Sequence, residues 1–97
     1  MNRQVVYVRW QDAVHPTSDW ERPAEFERDP DLLTETVGWL VNRNRKLVQV
    51  AVTCAGRDTP DEQLTGIMSI PMGCVDRIVA VPVDGKSAKV LYRKRGT

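Results

Sequence analysis

The 97-residue chain has one histidine, two cysteines and six aromatic residues, and no apolar stretch near the ~20 residues that a membrane-spanning helix requires. A lone histidine, His15, leaves histidine-based metal centres short of ligands, and a Cys–His nucleophile pair with Cys54 or Cys74 would need an exposed thiol of lowered pKa where both cysteines read as buried. Asp12, His15 and Asp19 are the nearest approach to a metal set, and their spacing matches no zinc or iron pattern. Cys54 and Cys74 lack CxxC spacing and sit in apolar, strand-like surroundings, which favours reduced thiols over a disulfide or a redox pair. The glycines are scattered, so no phosphate-cradling glycine loop exists. Charge of either sign is also scarce in excess: 14 Lys and Arg stand against 13 Asp and Glu, which excludes wholesale attraction to nucleic acid or anionic lipid. Nothing supports enzyme activity, and no cofactor or metal is expected.

What the chain does have is β-branched and aromatic alternation. Residues 4–10 place Val6, Val8 and Trp10 on one face and Val5, Tyr7 and Arg9 on the other, the pattern of a first strand. Residues 11–33 are polar and punctuated by Pro16, Pro23 and Pro30; a short helical turn capped at Ser18 or Asp19 is expected inside this long loop. Residues 36–41 and 47–54, joined by the polar linker 42–46, read as a β-hairpin. Its second arm puts Val48, Val50, Val52 and Cys54 on the core face, and Gly38 in the first arm marks a bulge or close backbone approach. A further strand is expected over residues 64–70. Pro71-Met72-Gly73 then predicts a 3₁₀ turn, with Gly73 at positive φ, leading into a strand over residues 75–81.

After Asp84-Gly85, residues 88–92 fit a sixth strand, and residues 84–97 form a basic C-terminal strand or tail whose deletion from Lys86 onward is expected to leave the domain folded. The order of elements predicts one small all-β domain, an SH3-like barrel of five or six antiparallel strands with a long, partly helical loop after strand 1. Closure would protect the sheet edges of so short a chain.

Thr36-Val37-Gly38-Trp39-Leu40-Val41, the β-rich arm after it and Ile70-Pro71-Met72-Gly73-Cys74-Val75 together resemble a group of short phage and prophage proteins, in which a TVGWLV-like strand precedes an IPxGC turn. Trp10-Gln11-Asp12 followed by Trp20 is similar to that group's opening. The resemblance spans roughly residues 5–78. It implies a phage origin and a fold; the lack of a signal-peptide pattern over residues 1–9 adds the expectation of residence in the host cytoplasm. The group carries no assigned activity, so the resemblance transfers no functional residue.

Function is therefore sought in the charge pattern. Between Asp12 and Glu35 eight acids face two arginines, and Asp19, Trp20, Glu21 and Glu25 form an acidic loop beside an aromatic, a surface suited to a basic partner. This points to a non-enzymatic accessory protein that binds a host or phage macromolecule, most simply a protein, in an anti-defence or host-takeover role. The alternative is a nucleic-acid or nucleotide-binding module, acting as a barrel oligomer in the nucleotide case. Its phosphate-binding residues would be Arg43, Arg45 and Lys46 at the hairpin tip together with Arg57.

Overall fold

The computed structural model describes residues 3–12, 32–83 and 87–95. They form one antiparallel sheet of six strands: β1 (Val5–Asp12), β2 (Leu32–Arg43), β3 (Leu47–Ala55), β4 (Gln63–Pro71), β5 (Val75–Val81) and β6 (Lys89–Arg93). A single 3₁₀ turn, Met72–Cys74, separates β4 from β5. The spatial order is β4-β3-β2-β1-β5-β6.

β2 is the hinge of this arrangement. Its residues 32–39 pair with β1, while residues 39–43 pair with β3, so Trp39 faces Val5 on one side and Ala51 on the other. A register shift between Leu40 and Asn42 inserts one extra residue, Val41, just past that crossing point. Such a bulge bends and twists its strand. The sheet rolls there, folding β3 and β4 back over β1 and β5. One core cluster consequently collects Val6 and Val8 from β1, Val48 and Val50 from β3, Ile70 from β4, and Val75 and Ile78 from β5. Trp10, Leu40, Met72, Leu91 and Tyr92 pack around it. No charged or polar residue is buried among the described residues.

The roll stops short of closure, which corrects the expected barrel. β4 pairs only with β3, and β6 pairs only with β5, so among the described residues both outer strands keep an unpaired edge. β6 pairs along the side of β5 away from β1 and so extends the sheet. The two halves of the roll meet instead through a side chain, with Arg43 Nη1 donating to the Leu91 carbonyl at 3.4 Å. The expected helical turn falls within residues 13–31 and lies outside the described residues.

Several local expectations hold. The 3₁₀ turn follows Pro71, β5 spans Val75–Val81, and the hairpin arms are β2 and β3. Gly38 does make a close backbone approach, since a Cβ there would lie 2.5 Å from Val50 Cγ1 and 2.6 Å from the Ala51 carbonyl oxygen.

Others are corrected. β2 begins at Leu32, four residues before the expected 36, because its first residues pair with the end of β1 (Asp12 opposite Leu32). Gly73 is not at positive φ; that conformation belongs to Gly56, Gly66 and Asp58 among the described residues, and the turn after Pro71 forms without it. The core face of β3 ends at Val50. Val52 is 76% exposed; its neighbour on β4 is Gly66, which supplies no side chain to bury it, and the β2–β3 pairing has ended at Ala51. The sixth strand expected over residues 88–92 is present as β6, and its Leu91 and Tyr92 pack on the core.

Candidate functional site

The β2–β3 hairpin tip is built by Asn44. Its side-chain oxygen accepts from the backbone N–H of Lys46 at 2.8 Å and of Leu47 at 3.0 Å, while its own N–H donates to the Leu47 carbonyl at 3.0 Å. Asparagine closes tight turns in this way because its short amide reaches back to its own main chain. The Met72 N–H donates to the Lys46 carbonyl at 2.9 Å, fastening the 3₁₀ turn to the tip. The result is a fixed platform. Arg43 and Arg45 stand on it, and with Asn44, Met72 and Tyr92 they line one shallow groove.

Tyr92 enters this groove from β6, where it sits opposite Ile78. Its neighbours on the same strand and just beyond it, Arg93, Lys94 and Arg95, extend the basic character of that end. Lys94 is held in place by its backbone N–H, which donates to the Asp76 carbonyl at 2.7 Å. Guanidiniums beside a half-buried tyrosine and a thioether can grip phosphate oxygens against an apolar floor.

Of the four basic residues expected to act together, Arg43, Arg45 and Lys46 are adjacent at the hairpin tip. Arg57 is not with them. It follows the far end of β3, nine residues along that strand from the tip, where its guanidinium lies 5.4 Å from the Trp39 ring centroid and 3.8 Å from the Asp58 carboxylate. Asp19, Trp20, Glu21 and Glu25 lie outside the described residues. Of the other tryptophans, Trp10 packs on the core and donates from Nε1 to Thr36 Oγ1 at 3.0 Å, and Trp39 is covered by Arg57.

A second polar cluster, invisible in the sequence, surrounds Arg3. Its guanidinium pairs with the Glu62 carboxylate and donates to the Leu40 and Val41 carbonyls at 3.0 and 3.3 Å, the two carbonyls loosened by the β2 bulge. Glu62 also accepts from the Asp58 N–H at 2.9 Å, and Arg3 N–H donates to Asp58 Oδ1 at 2.7 Å. The Arg3 hydrogen bond and the Asp58 N–H together hold the Glu62 carboxyl down at about 2, from an ordinary 4.5. Cys54 Sγ lies 3.7 Å from Glu62, and burial, reinforced by that carboxylate, pushes the thiol above its ordinary value. A reactive cysteine requires the opposite shift, so this cluster is a clamp rather than a nucleophile site. Both cysteines are free.

Among the described residues no three His, Cys, Asp or Glu side chains converge as metal ligands, and no helix is long and apolar enough to cross a membrane. Compared with protein-family models, curated proteins and solved structures, the chain matches none.

Proposed function

We propose that the protein is a non-enzymatic binding module that grips the phosphate backbone of a single-stranded nucleic acid at the β2–β3 hairpin tip. The observation carrying this reading is the convergence of Arg43, Arg45, Met72 and Tyr92 in one groove on a turn made rigid by Asn44. Arg43 and Arg45 supply phosphate contacts, Lys46 adds charge at the tip, and Met72 and Tyr92 supply apolar surface beside them. Arg57 takes no part. The near-neutral net charge of the chain suits a local footprint rather than a uniformly attractive surface.

The finer fold reading is that of an SH3-like domain with an added sixth strand. The order β4-β3-β2-β1-β5, the bent β2 shared between two halves and the 3₁₀ turn before β5 support it. The likeness to phage proteins supports an accessory role in an infected host's cytoplasm.

A protein partner for the acidic segment is the second reading. It is favoured by the sequence, in which Asp19, Glu21 and Glu25 set three carboxylates around Trp20, a pattern suited to a basic partner. Fluorescence anisotropy with a labelled oligothymidylate separates the two. The nucleic-acid reading expects saturable binding that R43Q/R45Q weakens on the order of tenfold or more; absence of binding, with a discrete protein captured through the acidic segment, would favour the second.

A further inference from the structure

Strand register aligns three arginines that lie far apart in the chain. Arg9 on β1 is opposite Arg77 on β5, and Arg77 is opposite Arg93 on β6. They fall on the face of the sheet turned away from the core, the face of Tyr7 and Val79. Like charges directly opposite one another destabilise a sheet, and Arg77 has one on each side.

The counter-charges nearby do not resolve this row. Asp76 Oδ2 lies 3.4 Å from Arg9 Nε, and Glu35, opposite Arg9 on β2, accepts the Tyr7 hydroxyl at 2.6 Å. Arg77 places its guanidinium 5.6 Å from the Tyr7 ring centroid. Among the described residues, the Nε atoms of Arg9 and Arg77 are shielded from solvent and make no hydrogen bond, Arg9 Nε keeping only its ion pair to Asp76. Both residues line a groove with Arg93, Asp76, Gln11 and Leu33. Three guanidiniums line this one groove against a single carboxylate, Asp76, and that excess of donors suits an acceptor with several oxygens.

We propose that Arg9, Arg77 and Arg93 form an oxyanion site for a phosphoryl group. A guanidinium is a planar fork of fixed donors matched to pairs of phosphate oxygens, and a tetrahedral phosphoryl group offers acceptors in several directions to forks around one groove, which a planar carboxylate does not. Asp76 steadies Arg9 and keeps the row from repelling itself apart when the site is empty. The phosphoryl group comes either from a free phosphate or phosphomonoester or from a nucleic-acid backbone. The site stands apart from the hairpin groove: it lies on the other face of the sheet and uses none of Arg43, Arg45 or Lys46.

The arginine Nε–Hε resonances of the ¹⁵N-labelled full chain test it directly. Titration with inorganic phosphate is expected to shift the Arg9 and Arg77 resonances saturably while Arg43 and Arg45 stay in place, and R77Q/R93Q is expected to abolish the Arg9 shift with the circular dichroism spectrum unchanged. Should R77Q/R93Q alter the fold, R93Q alone, at the sheet edge, serves the same purpose. Saturable movement with oligothymidylate only also supports the site and assigns it to a backbone phosphodiester. If neither probe moves Arg9 and Arg77, or if all arginines drift together without saturation, the site is overturned. R43Q/R45Q, which loses hairpin binding of oligothymidylate, is expected to keep the inorganic-phosphate shifts of Arg9 and Arg77, so the two proposals fail separately.

Discussion

Arg3 and Glu62, separated by fifty-nine positions, are joined by a guanidinium–carboxylate pair in which Arg3 Nε donates to Glu62 Oε1 at 3.1 Å. Through it the residues preceding β1 are tied to the turn between β3 and β4, and the carbonyls at the β2 bulge gain donors. The clamp therefore braces the bend that rolls the sheet.

The clamp makes stability pH-dependent in acid. Glu62 titrates at about 2 in the folded protein against an ordinary 4.5, so between these values the unfolded chain binds the extra proton. Its contribution is complete above pH 4.5 and disappears as pH falls towards 2. Chemical denaturation across that range is expected to show falling stability in the native chain and a flatter profile in Glu62→Gln, which is also less stable at neutral pH. Parallel profiles would remove the clamp from the account.

Neighbouring valines on β3 should respond oppositely to charge. Val50 is 2% exposed and Val52 is 76% exposed, on the same face of the same strand. Val50→Asp buries an unpaired carboxylate and is expected to cost roughly 3 kcal/mol or more, enough to unfold much of the protein. Val52→Asp is expected to stay within about 0.5 kcal/mol of the native chain. Thermal melts by circular dichroism read both.

Two glycines make a similar contrast. Gly38→Ala drives a methyl group against Val50 and the Ala51 carbonyl, an overpacking worth about 1–3 kcal/mol. Around Gly73 a Cβ meets nothing within 4 Å, so Gly73→Ala is expected to be neutral or to stabilise by up to about 1 kcal/mol. Urea midpoints distinguish them, and equal effects would place the close approach elsewhere.

Removal of residues 86–97 strips Leu91 and Tyr92 from the core and exposes the side of β5 that β6 covers. The truncated chain is expected to lose cooperative unfolding or to melt well below the native chain. An unchanged melting temperature would mean that β6 is only appended.

Most strands were legible in the sequence because valine-rich alternation reports a half-buried surface: Val6 and Val8, or Val48 and Val50, announce their faces locally. The turn after Ile70 was legible from Pro71 alone. What alternation cannot encode is where a face stops being covered, and Val52 was misread for that reason, its fate being set by Gly66 on another strand. Openness of the sheet was hidden likewise, since β6 shares its pattern whether it closes a barrel or extends an edge. Of the candidate site, Arg43, Arg45 and Lys46 were legible because they are contiguous. Tyr92, Arg3, Glu62 and the Arg9–Arg77–Arg93 row became visible only with strand register, which joins residues that no local window contains. Arg57 was grouped with the hairpin by charge, and the length of β3 separates them.

The central claim, that the hairpin tip holds a nucleic-acid backbone, is tested most directly by the salt dependence of oligothymidylate binding. Each backbone phosphate neutralised on a single strand contributes about −0.7 to the slope of log K against log salt. Replacing Arg43 and Arg45 together is therefore expected to reduce that slope by about 1.4, while Arg57→Gln, at the other end of β3, leaves it unchanged. The same slope in R43Q/R45Q as in the native chain, or no oligothymidylate binding by the native chain at low salt, would contradict the account.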